Sequence, residues 1–293
     1  MRYQDRVPPE DINTPDQHPL RDFLKLSALA LLAVAVVGFL LNTAGGTLGG
    51  FMPFKYELWL VEQIESAAEK SGQSSPFETT VSNPELQEYL QAVADRVAHA
   101  MEIEESMPIT LHYSDDDLVN ACATIGGHVY LFKGLLVLLP HENALAMLMA
   151  HEFSHISHRH TAKGLGGGLA LAVGSSLLGL STENRLFGFA TNLTASRFSR
   201  MMESDADASA LRAVNAMYGH TSGAGALFEL FMQQREGGGK FEKFLATHPL
   251  DEQRIEAIVK RSTVNGWQVH GETTPLPPNY EKWLHQAHED DEK

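Results

Sequence analysis

Two histidines and a glutamate sit in the segment His151-Glu152-Phe153-Ser154-His155, inside an apolar stretch that no Gly or Pro interrupts between residues 142 and 161. Leu145, Leu148, Met149, Phe153 and Ile156 recur at helical spacing, so the stretch is expected to form a helix. A helix set in so apolar a context carries its polar side chains inward, where each needs a partner. Whatever fold the chain adopts must satisfy two imidazoles and a carboxylate in one place. At a spacing of four residues, His151 and His155 project one turn apart from one face, and their neutral ring nitrogens can reach a single tetrahedral ion. Glu152 is turned away by roughly 100°. It flanks such an ion rather than ligating it, in position to take a proton from water that the metal activates.

A second helix is expected from about residue 193 to 217, and it carries Glu203-Ser204-Asp205-Ala206-Asp207. Glu203 completes a set of two His and one Glu, which leaves a fourth position for water, as in catalytic rather than structural zinc sites. Asp207 shares the face of Glu203 and can accept the remaining ring N–H of a ligand histidine. Asp205 points elsewhere. The competing reading is a solvated acidic face paired with Arg197 and Arg200. His158 and His160 are placed as polar residues near the site or at the surface, since the geometry of His158 relative to His155 disfavours joint ligation.

These motifs carry a resemblance. HEFSH, the later ESDAD, the stretch from Asn120 through Gly126-Gly127-His128 to Tyr130, and Thr247-His248-Pro249-Leu250 with Arg254 resemble the gluzincin-type metallopeptidase family that includes HtpX, BepA and the CAAX prenyl proteases, over roughly residues 53–261. The resemblance implies one zinc ion held by His151, His155 and Glu203, with Glu152 as the base and Asn120 as a substrate contact. It implies that the stretch through Gly126 and Gly127 leads into an edge strand that holds substrate. It also puts His248 near the metal, as an oxyanion stabiliser or an inhibitory extra ligand. A departure from the family pattern is expected, without the C-terminal helical repeats of one branch or the full set of membrane spans of another.

Residues 128–132 alternate and are rich in β-formers, while Gly126-Gly127 would let another backbone approach closely, as strand addition by a peptide requires. On this reading Gly126, Gly127 and His128 bind substrate. An ordinary hairpin with a Gly-Gly turn, pairing residues 128–132 with residues 109–113, explains the same residues, and the two readings are compatible. A histidine before proline at a helix start is commonly a cap or packing residue, so the role of His248 rests on the resemblance. Cys122 is the sole cysteine and can form no intramolecular disulfide; it reads as a small buried residue.

Residues 23–41 form an almost unbroken apolar run of 19 residues, about 28 Å as a helix and suited to a hydrocarbon core of about 30 Å. Arg2, Arg6, Arg21 and Lys25 precede or open it, whereas only Lys55 follows within a comparable distance, which predicts a cytoplasmic N-terminus and an exported domain. A cleaved signal peptide competes with this signal-anchor reading, but no small-residue cleavage motif follows. The acidic residues before the run argue against a mitochondrial presequence. A single-pass bacterial inner-membrane protein with its catalytic domain in the periplasm is expected. Residues 164–180 are a second apolar stretch, interrupted by glycines, that could be a flexible hairpin, a lid or a contact with lipid.

The expected organisation is a cytoplasmic segment (1–22), the transmembrane anchor (23–41), a Gly-rich linker (42–53), a zinc metallopeptidase domain (54–265) and a polar, solvated tail (266–293). Sparse strands among many helices predict a mainly helical α+β zincin-like domain with a small sheet. A net charge of −15 disfavours nucleic acid and fits protein or peptide partners, misfolded envelope proteins among them. The expected activity is zinc-dependent endopeptidase action in envelope quality control; the alternative is a zinc-dependent periplasmic chaperone or assembly factor with suppressed proteolysis.

Overall fold

The computed structural model describes residues 18–72, 74–75, 77, 83–177, 198–233, 241–249 and 252–285. It is mainly helical with one small sheet, as the sparse strand pattern predicts. Helix α1 (Pro19–Phe51) is long and apolar enough to cross a membrane. It leads into α2 (Lys55–Ser71), α3 (Pro84–Ala100), strands β1 (Thr110–Ser114), β2 (Ala121–Ala123) and β3 (His128–Phe132), and the short α4 (Lys133–Leu136). The metal-motif helix α5 (Glu142–Ser157) and α6 (His160–Leu177) follow, then α7 (Arg200–Tyr218), α8 (Ala226–Gln233), α9 (Glu242–Thr247), α10 (Glu252–Val264) and α11 (Tyr280–His285).

Local chemistry sets the ends of the central helices. Asn83 accepts the Leu86 N–H at 2.9 Å and Pro84 occupies the first turn of α3, where its missing N–H costs nothing. The His141 ring caps α5 through Nδ1, which accepts the Ala144 N–H at 3.1 Å. Ser199 caps α7, and Gly219, at φ 75°, ends it in the left-handed conformation that glycine adopts without strain. Helix α5 runs through the middle of the core: Leu145, Met149, Phe153 and Ile156 are buried, and so are His151, Glu152 and His155. It packs on α7, which carries the second motif, and on α3. A carboxylate knot fixes the start of this packing. Glu142 accepts hydrogen bonds from the Tyr89 hydroxyl at 3.0 Å, the Arg96 guanidinium at 2.9 Å and the Tyr218 hydroxyl at 2.9 Å, joining α3, α5 and α7.

Five expectations need correction. Residues 42–53 are not a linker: α1 continues through Phe51, because Gly45 and Gly49 are buried against α6 and packing outweighs the poor helix propensity of glycine. The motif helix does not run on to residue 161. It breaks at Arg159, at φ 60°, and α6 starts in a new direction. Strand β3 is not an edge strand; the sheet order is β1-β3-β2, so β3 lies in the middle. It pairs in parallel with β1, which excludes a hairpin between those two, and antiparallel with β2, with Gly126-Gly127 in the turn between β2 and β3. Finally, residues 266–285 are not a solvated tail. Thr274 accepts the Glu142 N–H through its carbonyl at 2.9 Å, and Tyr280 and Leu284 of α11 are buried against the core. The expected start of the second motif helix near Leu193, residues 178–180 of the second apolar stretch, residues 1–17 and residues 286–293 lie outside the described residues.

Candidate metal centre

Helices α5 and α7 and the segment after α9 bring His151, His155, Glu203 and His248 together, all buried. Their donor atoms face one another. His151 Nε2 lies 3.2 Å from His155 Nε2, 3.3 Å from His248 Nδ1 and 3.5 Å from Glu203 Oε2. Glu203 Oε1 lies 3.5 Å from His155 Nε2 and 3.2 Å from His248 Nδ1. Donors bound to zinc at about 2.0–2.1 Å stand about 3.3 Å apart along a tetrahedron's edges. Hydrogen bonds between neighbours satisfy only part of such a cluster, because several imidazole nitrogens and carboxylate oxygens point at a common centre with too few protons to pair them all. The donor set therefore fits a zinc ion.

A supporting layer orients each ligand. Asp207 Oδ1 lies 3.0 Å from His151 Nδ1, directing the opposite ring nitrogen inward. Arg254 holds Asp207 with two hydrogen bonds of 2.8 Å, from Nε and Nη2, and its Nη1 lies 2.8 Å from Glu203 Oε2. The same Nη1 donates to the Pro249 carbonyl at 2.9 Å, which ties down the residue after His248. His155 Nδ1 meets His160 Nδ1 at 3.0 Å, and the Phe198 ring stacks on His155 with centroids 3.7 Å apart.

The electrostatics favour positive charge at the centre. Burial opposes charge on His151, yet the Asp207 and Glu203 carboxylates outweigh it and lift the imidazole to about 10. Burial alone would raise the Glu203 pKa, but hydrogen bonds from His151 and His248 hold it far below the usual carboxylate range. Burial, reinforced by the rings of His151 and His248, keeps His155 neutral.

Glu152 sits beside the cluster, with Oε1 3.5 Å from His248 Nε2. Its Oε2 accepts the Ala123 N–H of β2 at 2.8 Å. Residues 120 and 124 turn their backbone groups toward β3, since the Asn120 carbonyl accepts from Phe132 and the Thr124 N–H donates to His128. By strand alternation, the peptide groups of Ala121 and Ala123 face the other way, toward Glu152. Among the described residues, the outer strand of the sheet beside the metal centre is thus β2, which is buried.

The proposed substrate contacts divide accordingly. Asn120 is buried at the start of β2, on the Glu152 side of the sheet order. Gly126, Gly127 and His128 are not on that edge. Gly126 donates its N–H to Glu57 at 3.1 Å, and an added Cβ would lie 2.6 Å from Val61. Gly127, at φ 82°, is so close to the Pro108 carbonyl that any side chain would collide with it. His128 pairs with His112 at 2.7 Å and packs on Phe77. These glycines admit the protein's own backbone and α2. His158 reaches Ser209 at 2.8 Å, and Asp205 is exposed.

Two contributors were not given these roles from the sequence. Arg254 stands in the resemblance with no role assigned, although two buried carboxylates on one face of α7 demand a cation. Phe198 gives no sign of stacking on a ligand.

A model of a family described as Peptidase family M48 matches residues 84–262, more than half of the chain. Beta-barrel assembly-enhancing protease of Escherichia coli (strain K12) is 26% identical over 230 residues, 73% of this chain and 44% of the relative. Mitochondrial metalloendopeptidase OMA1 of Schizosaccharomyces pombe is 32% identical over 184 residues, 59% of this chain and 53% of the relative. The chain thus spans about half the length of these relatives. His151, His155, Glu203 and His248 form the zinc site typical of this family.

Proposed function

The chain belongs to peptidase family M48, and from that premise we propose that it is a membrane-anchored zinc endopeptidase that cleaves extended polypeptide segments. The observation that carries this reading is the tetrahedral spacing of four buried donors with the Glu152 carboxylate alongside. Zinc, when bound, supplies Lewis acidity that polarises a scissile carbonyl and acidifies water. The remaining chemistry belongs to the chain. An extended substrate adds to β2 through the outward peptide groups of Ala121 and the Ala123 carbonyl, the Ala123 N–H being held by Glu152, with Asn120 at the entry to the strand. Glu152 takes the proton of the attacking water at its carboxylate and passes it to the leaving amine. Asp207 and Arg254 keep His151 and Glu203 oriented throughout.

His248 supports a resting state. Its Nδ1 stands among the donors and its Nε2 faces Glu152, so it occupies the place that water and substrate need. Once it turns away, its ring is free to steady the oxyanion. A closed centre also favours a second reading, in which the chain mainly holds unfolded envelope proteins and its proteolysis is suppressed. The apolar helix and the basic residues before it favour a single-pass anchor in a bacterial inner membrane, with the catalytic domain in the periplasm and its boundary extended to about residue 285 by the packing of α11.

Glu152→Gln is expected to keep its zinc and lose at least about 100-fold in peptide cleavage. Cleavage at the wild-type rate by that variant would overturn the mechanism. Rescue of a deletion phenotype by Glu152→Gln would favour the holding role, whereas accumulation of uncut clients on it would favour the peptidase.

A further inference from the structure

Helix α6 packs antiparallel on α1, in the most extensive contact between any two elements among the described residues. As α6 advances, its contacts climb α1: Gly49 lies against Ala162 and Gly166, Gly45 against Gly166, and Asn42 against Gly167. Small residues make this approach possible. A side chain on Gly49 would strike the Ala162 carbonyl, and one on Gly166 would strike the Gly45 carbonyl and come within 2.9 Å of the Gly49 Cα. Such close backbone contact is how helices associate where no hydrophobic force drives them together. On α1, Gly49 and Gly45 are buried and Leu41 and Gly38, on the same face, are half-buried, while most other residues of the helix are exposed.

The levels of the two helices decide where α6 ends. Gly167 is level with Asn42, immediately below the apolar run of residues 23–41. From Gly167, α6 continues to Leu177, a further rise of about 15 Å, which is about half of a hydrocarbon core of about 30 Å. Lys163 is the last charged residue of α6; its aliphatic chain lies on Gly50 and its Nζ donates to the His158 carbonyl at 3.1 Å. No Asp, Glu, Lys or Arg occurs from residue 164 to 182. Helical backbone, small residues and absence of charge are what entry into lipid requires. Among the described residues only α1 is long and apolar enough to cross.

Taking α1 as the membrane anchor, as under the proposed function, we propose that the C-terminal half of α6 is a second membrane-inserted element, which enters the bilayer beside α1 and stops near its middle. Its partner is lipid hydrocarbon. The centre then hangs at the foot of an inserted helix, since His160 lies about 10 Å along α6 below Gly167 and contacts the ligand His155. Segments of substrate that run along or emerge from the membrane surface are the class this position serves.

The test uses the full chain with Cys122→Ala, reconstituted in phosphatidylethanolamine and phosphatidylglycerol vesicles. Nitroxide labels are placed singly on cysteines at 170, 171, 172 and 173, one full helical turn, and at Leu31 in α1 and Glu105 on the domain surface. Circular dichroism confirms the fold of each variant, and any variant that fails is read from its neighbours in the turn. Collision rates with molecular oxygen and with a water-soluble nickel chelate are then measured. The expected result is an oxygen-to-nickel ratio on the outer side of the turn that is several-fold above that of Glu105→Cys and below that of the deeper Leu31→Cys. Nickel access around the whole turn would place α6 in water, and exclusion of both reagents around the whole turn would bury it in protein; either overturns the proposal while leaving the anchor intact. A nickel-accessible Leu31→Cys would remove the anchor reading and this proposal with it.

Discussion

Helices α5 and α7 clasp two buried carboxylate clusters, one near each end of their contact, and the two are built on opposite rules. At one end Glu142 receives donors from Tyr89, Arg96 and Tyr218, so its lone pairs meet protons. At the other, His151, His155, Glu203 and His248 aim acceptors at one another within 3.2–3.5 Å, with Asp207 and Arg254 behind them. Both ends are buried and both are polar. What separates a structural knot from a metal centre here is the balance of donors and acceptors, and that balance can be counted from the coordinates.

The largest test of that contrast removes ligands. His151→Ala or Glu203→Ala is expected to take zinc from a full complement to almost none by elemental analysis, and chelator should then lower the melting temperature of the wild type but not of either variant. Arg254→Leu should come next. It strands the Asp207 and Glu203 carboxylates, so a loss of about 3–5 kcal/mol in unfolding free energy is expected, together with zinc affinity weakened about 10–100-fold; unchanged affinity would show that the arginine does not position the ligands. Glu142→Gln should cost about 1–3 kcal/mol by leaving a poorer acceptor among three donors, with zinc content unaltered. Metal loss in that variant would break the distinction between the two ends.

The smallest expected effect lies in the sheet. Burial, and secondarily the neighbouring His128, pulls His112 down to about 4 from an ordinary value of 6.5. Above pH 6.5 the ring is neutral folded or unfolded and contributes nothing to pH dependence. As pH falls from 6.5 toward 4 the unfolded chain takes up the proton first, so stability declines across that window and levels off below it. Denaturant titrations should show wild type losing up to about 2 kcal/mol more than His112→Phe over the same range.

The metal centre was largely legible in the sequence, because helical periodicity fixes which side chains share a face: His151 with His155, and Glu203 with Asp207. Pairing between segments was not. Alternation in residues 128–132 announces a strand but cannot say that β1 lies parallel to it and β2 takes the outer edge, so Gly126 and Gly127 read as substrate contacts when they admit Val61 and the Pro108 carbonyl. Residues 42–53 read as a linker because glycine disfavours an isolated helix, whereas a second helix rewards the absence of side chains. The tail did carry a signal, in Tyr280, Trp283 and Leu284 at a helical spacing, but its acidic end obscured it.

One buried pair links regions far apart in the chain. Glu57, fully buried in α2, forms an ion pair with Arg159 at the bend after α5 and accepts the Gly126 N–H, while Arg159 donates to the Met52 carbonyl at the end of α1 at 2.6 Å. Detaching α2 therefore uncovers a guanidinium and frees a turn amide in the same event. The Gly126 amide becomes a natural clock for that opening: its deuterium uptake times the joint release of the first helices from the catalytic body, as one cooperative unit.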